Sequence, residues 1–305
     1  MKIRTVLGDI PPETLGVTSC HEHLLWSVPE PYQDEDPDLG FDSIPASVAE
    51  LRYFKAAGGN ALIEMTTKEI GRAALDLCQI SAAANVHIIA ATGHHKHKFS
   101  AGLLQEQTTD QIVSTIFNDL HEGMDGTPVC AGVIKAATSL NAASPIEQKV
   151  IQAVGIAHQK SGAPVSTHTE AGSFAIEQVG LLLKHGVAAE KLLIGHLDRN
   201  LTWETYISLA QKGVYLGFDQ IGKEKYWPDA ERIQLIHKLI QTGYTSQILL
   251  SCDSARKSTW HTHNPQVNGP AYLFMDFIPA LCRSGIGEAD IETILIQNPA
   301  RFLAF

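Results

Sequence analysis

The stretch CHEHL at positions 20–24 sets two histidines, His21 and His23, two residues apart. On an extended strand residues i and i+2 face the same side, so both imidazoles can offer a ring nitrogen to one cation while Glu22 points into the wall. Imidazole suits Zn, Cu, Fe and Ni alike. In a chain with 14 histidines, one such pair carries little weight by itself. Four more residues of metal-binding or acid–base type each close a short apolar run: Lys135 in GVIKAATS, His168 in PVSTHTE, His196 in LLIGHLD and Asp253 in ILLSCDS. Taken singly, each has an ordinary explanation. Lys135 can snorkel its ammonium outward from a half-buried stem, and Asp253 can cap a following helix. Their meaning depends on what brings the ends of those runs together.

Eight such runs occur: GVTSCHEH (16–23), NALIEMTT (60–67), VHIIAATGHH (86–95), CAGVIKAATS (130–139), APVSTHTE (163–170), KLLIGHLD (191–198), GVYLGFD (213–219) and SQILLSCDS (246–254). Segments of helical period separate most of them, including SVAELRYFKAAG, IEQKVIQAVGIAHQKSG and DAERIQLIHKLIQTG, and several end in the glycine that a helix C-terminus favours. Near-continuous apolar strands alternating with helices indicate a parallel sheet buried on both faces. Eight units predict a closed (β/α)8 TIM barrel. A doubly wound sheet would carry a G-x-G-x-x-G turn, and the sequence has none. With no proline- or serine-rich linker, residues 1–305 read as one domain. The acidic stretch 27–45 reads as a loop over the barrel mouth, and EADIETILIQNPARFLAF as a closing helix. Chemistry in such a barrel sits at the C-terminal strand ends. The joint placement of His21, His23, Lys135, His168, His196 and Asp253 there therefore indicates a metal site.

Composition narrows the function classes. A formal charge of −10 repels phosphate backbones and anionic bilayers, and the basic clusters are small. The N-terminus has no apolar signal core, and no segment has the apolar run of a membrane span. The expectation is a cytoplasmic protein acting on a small molecule, without nucleic acid or membrane as partner; a homodimer is compatible with the sequence. Five scattered cysteines without a C-x-x-C pair read as reduced thiols.

The pieces TLGVTSCHEHL, IEMTTKEIGR, AATGHH, GTPVCAGVIKAATS, PVSTHTEAG, IGHLDRN, GFDQIGKEKYWPD, ILLSCDSARKS and NPARFL, in this order, run almost the length of the chain. As a set they resemble the phosphotriesterase-like family of the amidohydrolase superfamily, with a lean toward its lactonase-type subgroup. The resemblance implies a (β/α)8 barrel with two divalent metal ions (Zn, Mn, Co or Fe) bridged by a carboxylated lysine and a hydroxide. It also implies His21, His23 and Asp253 on the more buried ion, His168 and His196 on the more exposed one, and carboxylated Lys135 between them. An ammonium has no lone pair, so the bridging role requires a carbamate, which the neutral amine forms with CO2. Asp253 is the expected catalytic acid–base residue.

Substrate recognition is expected from other loops at the same rim. His94 and His95, in GHHKHKF, stand where many relatives carry aromatic residues such as tyrosine, and with His97 and Lys98 they make a polar, partly cationic edge. Lys223, Lys225 and Tyr226 in GKEKYWPD, with Arg256 and Lys257 in SARKS, follow the last two strands, where barrels often bind phosphate. Glu64 and Thr66 are inward-facing candidates, Glu64 as an acceptor for a ligand histidine's second N–H. WHTHN (260–264) reads as a lid. The leading expectation is a binuclear lactonase or carboxylic ester hydrolase acting on a small anionic lactone, phosphorylated sugar lactones included. Phosphotriester or phosphoester hydrolysis is the alternative. A catalytically idle binding protein is the alternative of another class.

Overall fold

The computed structural model describes all residues except Pro31, Gln33 and Asp34, so those positions of the acidic 27–45 stretch lie outside the description. A short antiparallel hairpin, β1 (Ile3–Thr5) and β2 (Gly8–Ile10), precedes eight parallel strands. These are β3 (Thr18–Glu22), β4 (Ala61–Glu64), β5 (His87–Gly93), β6 (Val133–Thr138), β7 (Val165–Thr169), β8 (Leu192–Ile194), β9 (Tyr215–Phe218) and β10 (Ile248–Leu250). They neighbour one another in chain order, with β3 and β10 at the two ends of the sheet. The ends are drawn together past the ladder: Asp253 N–H donates to His21 O at 3.2 Å. The buried Glu22 carboxylate accepts the N–H groups of Cys252 at 3.0 Å and Ser254 at 2.8 Å. The result is the expected (β/α)8 barrel, and each strand lies inside its expected run.

Alternation along the strands divides the apolar residues into two clusters. Cys20, Ile63, Ala91, Val133, Leu193, Tyr215 and Leu249 fill the barrel interior, and the intervening residues pack outward against the helices. Interior packing continues into the closing helical segment, where Phe302 and Leu303 join Ile3 and Leu15 as a plug at the end opposite the site. Lys2 and Phe305 there exchange backbone hydrogen bonds of 3.1 and 3.0 Å.

The helices follow from local signals where those exist. Helices α1 (Ile44–Ala56) and α2 (Ala74–Ala84) follow β3 and β4. Two helices lie between β5 and β6: α3 (His97–Leu104) and α4 (Thr109–His121). The GHHKHKF stretch is therefore only partly loop, since α3 starts at His97. Its N-cap is Lys96, which makes no side-chain capping bond. After β6, α5 (Pro145–Ser161) has the full set of end signals, with Ser144 and Glu147 in a capping box, proline at the first position and Gly162 left-handed at the end. Helices α6 (Ala175–Lys184), α7 (Trp203–Ala210) and α8 (Asp229–Gln241) each return the chain to the next strand, and shorter helices at Ile278–Arg283, Glu288–Glu292 and Asn298–Leu303 follow β10. All five cysteines are free. Among the described residues, no helix is long and apolar enough to cross a membrane.

Candidate metal centre

At the C-terminal ends of the strands a small cavity of about 110 Å3 is lined by His21, His23, Lys135, His168, His196 and Asp253 together with His95. Trp26, Ile70, Phe99 and Ala255 complete its walls. All six expected ligands thus meet in one place, brought there from β3, β6, β7, β8 and β10.

Two local departures from regular structure aim them. Strict alternation would put only one of Cys20 and His21 inside the barrel, yet Cys20 packs in the interior cluster and His21 lines the cavity. The register of β3 on β4 shifts between Ser19 and Glu22. Such a bulge resets which face the following residues take. At the other side, Gly93 on β5 pairs with Lys135 on β6 at φ +83, and a Cβ there would lie 2.1 Å from the Lys135 carbonyl oxygen. Only glycine lets the backbone pass so close. His196 and Asp253 themselves sit at positive φ, 58 and 46, immediately past their strands.

Three of the four imidazoles expected as ligands are held through one ring nitrogen. His23 Nδ1 meets Thr66 Oγ1 at 2.8 Å, and Thr66 donates to Glu64 at 2.5 Å. His168 Nε2 lies 3.0 Å from Glu170, and His196 Nδ1 lies 2.6 Å from Asp219. These bonds leave His23 Nε2, His168 Nδ1 and His196 Nε2 as the nitrogens available to a cation. His21 Nδ1 is buried with no hydrogen-bond partner among the described residues, 3.5 Å from Asp219. Donor atoms of His21, His23 and Asp253 lie within 4.8 Å of one another, as do those of His21, His196 and Asp219. Burial pushes His21 and His168 down to about 3, so both rings are neutral lone-pair donors. An unpartnered buried nitrogen among convergent neutral imidazoles and carboxylates fits a bound cation. Replacing Asp219 with alanine is expected to weaken metal binding by about 10–100-fold, measurable by competition with a chelator; unchanged affinity would remove Asp219 from this role.

Lys135 is fully buried and donates to Met65 O at 2.8 Å. Burial lowers its amine to about 8, against the opposing pull of Asp253, Glu69, Glu64 and Asp219. Asp253 Oδ2 accepts from Gln220 Nε2 and Lys223 Nζ, both at 2.9 Å. Burial alone would raise its carboxyl, but Lys223 and the neighbouring imidazoles hold it well below the ordinary range.

Above the metal cavity opens a larger one of about 550 Å3, with Lys96, Arg199, Lys223, Lys225, Tyr226 and Arg256 on its walls. Lys223, Lys225, Tyr226 and Arg256 therefore sit where recognition was expected. Arg256 also bonds Asp36 at 2.6 Å, which ties the acidic stretch down beside the cavity. Lys257 lies elsewhere: it lines a separate cavity with Trp26 and Gly40, and its ammonium turns to Pro37 O at 3.4 Å. His94 is also displaced from the expected role, because its ring is buried against Glu69 at 3.3 Å while its neighbour His95 faces the site. Lys98 reaches Glu35 at 2.5 Å.

Glu64 and Thr66 do not face inward. Ala61, Ile63 and Met65 occupy the interior positions of that segment, so Glu64 lies in the wall and acts on His23 through the Thr66 hydroxyl. The WHTHN segment is anchored: Glu50 accepts the N–H groups of His261 and Thr262 at 3.0 and 2.9 Å, and His261 stacks on Tyr53 at 4.0 Å. Sequence reading did not single out Asp219, Glu170, Gln220, Lys96 or Arg199. Asp219 and Glu170 had a usable signal, each being the acidic residue just past an expected strand.

A (β/α)8 barrel whose C-terminal rim gathers buried imidazoles, an amine and carboxylates is the arrangement of a metal-dependent hydrolase. The family model described as Phosphotriesterase family matches residues 1–303, and the chain belongs to that family. It is a metal-dependent hydrolase of ester bonds. It is 34% identical over 323 residues to a phospho-furanose lactonase of Mycoplasmopsis synoviae (strain 53), covering 99% of this chain and 91% of that one. The crystal structure of a lactonase from Listeria monocytogenes superposes with a TM-score of 0.93 at 34% identity, covering 100% and 99% of the two chains. An organophosphorus hydrolase from Deinococcus radiodurans superposes with a TM-score of 0.87 at 29% identity, covering 100% and 97%.

Proposed function

We propose that the protein is a lactonase with two divalent metal ions, zinc by first preference, held by His21, His23, Lys135, His168, His196 and Asp253, with Lys135 carboxylated. Its substrate is a small sugar lactone carrying a phosphate or carboxylate. One observation carries this reading: the cavity of the expected ligands shares its walls with a larger cavity lined by Lys96, Arg199, Lys223, Lys225 and Arg256, five cations against the four carboxylates of Asp38, Glu170, Glu224 and Asp253. In a chain of charge −10, cations concentrated at one mouth recruit a small anion. The lactonase names of the relatives supply the bond type.

When bound, the metal ions would supply a hydroxide nucleophile at neutral pH and a Lewis acid for the substrate's carbonyl or phosphoryl oxygen. Asp253 takes the proton of the attacking water and passes it to the leaving ring oxygen. Gln220 and Lys223 orient that carboxylate through Oδ2. Trp26, Ile70 and Phe99 supply apolar wall to the site, which strengthens the charge interactions beside them. Lys225, Tyr226 and Arg256 bind the substrate's anionic group. The reading places this activity in the cytoplasm, with no nucleic acid or membrane partner and a homodimer as one form of the assembly.

The test is a metal-reconstituted screen of lactones with and without a phosphate, run beside an aryl phosphotriester. Preference for the phosphorylated lactones supports the reading. A phosphotriester preference would support the alternative, which the likeness to the organophosphorus hydrolase favours. Arg256→Ala is expected to raise KM for phosphorylated lactones by about tenfold, the scale of one charge-assisted hydrogen bond, with little change on neutral ones. Equal effects on both would end the anion-pocket assignment.

A further inference from the structure

The two ring nitrogens of His95 are engaged differently. Nδ1 accepts the N–H of Lys96 at 2.7 Å, so it carries a lone pair and no proton. The backbone presenting this ring is fixed: His95 N–H donates to the buried Glu69 carboxylate, and the preceding residue, His94, donates its N–H to Lys135 O at 3.1 Å. The ring packs edge-on against His168 at 4.8 Å and Phe99 at 5.1 Å. A neutral imidazole with an acceptor at Nδ1 has its proton on Nε2. Among the described residues no hydrogen bond engages Nε2, and the side chain lines the metal cavity.

We propose that His95 is a catalytic residue whose Nε2–H donates to the oxygen of the scissile C=O and stabilises the negative charge that develops there. The proposal rests on the ester-hydrolase reading above and adds to it the identity of an electrophilic donor. His95 packs on His168, an expected ligand of the more exposed metal ion, and lines the same cavity, so its ring borders the place where the polarised oxygen would sit. No described protein acceptor competes for that proton. The ring is locked before substrate arrives, so the bond forms without reorganisation. No proton is transferred at His95: the hydrogen bond strengthens as charge builds on oxygen and relaxes when the C–O bond to the leaving group breaks.

Two variants separate this role from packing: His95→Phe keeps the ring volume and loses the donor, and His95→Gln keeps an N–H donor. In metal-free protein labelled with 15N-histidine, long-range proton–nitrogen correlation spectra, assigned by the resonance lost in His95→Phe, are expected to show the Nε2–H tautomer. With metal content matched to wild type, His95→Phe is expected to lower kcat by about 10²–10³-fold at little changed KM, on phosphorylated and neutral lactones alike. His95→Gln should recover about tenfold or more of that loss. The Nδ1–H tautomer, equal losses in the two variants, or a change confined to KM for phosphorylated lactones would each overturn the proposal. Running an aryl phosphotriester in parallel keeps the two readings apart. Turnover of the phosphotriester alone removes the lactonase reading and leaves His95 tested on P=O. An unimpaired His95→Phe enzyme removes the His95 role and leaves the lactonase reading standing.

Discussion

Lys135→Ala is expected to lose both bound metal and activity, the latter by about 10³-fold or more, as when a group that organises a catalytic centre is removed. The reason lies in its surroundings. Lys135 is fully buried, lines the cavity with the imidazole ligands, and has Met65 O at 2.8 Å as its hydrogen-bond acceptor. As an ammonium it would repel cations, and it offers them no lone pair. Its amine, lowered to about 8 by burial, has an appreciable neutral fraction near neutral pH, the form that reacts with CO2. A carbamate formed there would offer an oxygen to each ion, the bridging role proposed above. Truncation would remove the proposed bridge and leave a space that a small carboxylate can enter. Added formate or propionate is therefore expected to restore part of the metal content and part of kcat. Elemental analysis of the purified variant settles the matter, because a normal metal complement in Lys135→Ala would exclude the bridging role.

Asp253→Asn should reduce kcat by about 10²–10⁴-fold, the range for losing a general acid–base group, with a smaller change in KM. Asparagine nearly preserves the volume, so the effect reads charge and basicity. The carboxylate accepts from both Gln220 and Lys223 at Oδ2, while Oδ1 lies 3.7 Å from His23 Nε2. In the variant the Lys223 ammonium loses its anionic partner, and the carboxylate proposed to take the proton of the attacking water is gone. The measurement is kcat and KM at matched metal content. A kcat within a few-fold of wild type would assign proton transfer to another group.

Several features were legible in the sequence because their causes are local. Strands buried on both faces must be apolar along their length, so the eight runs announce themselves. Helix α5 carries its own stop and start signals in Ser144, Pro145, Glu147 and Gly162. Helix α3 was hidden because it begins among HHKHKF, with no serine, threonine, aspartate or asparagine at its cap. The pairing of His196 with Asp219 spans 23 residues and that of His23 with Thr66 spans 43. Neither follows from any periodicity. His94 and His95 are adjacent and chemically identical, and only the path of the backbone over Lys135 sends one to Glu69 and the other to the cavity.

By itself the amino-acid sequence determined the order of eight strand–helix units and the residues standing at the strand ends, since both follow from burial and alternation along a single segment. The tertiary structure decided how those residues face one another. The register shift in β3 lets Cys20 pack inside the barrel while His21 and His23 still turn into the site. Asp219, Glu170 and Thr66 fix which nitrogen of each ring stays free. These outcomes depend on groups far apart in the chain competing for the same hydrogen bonds, and that competition exists only once the barrel has closed.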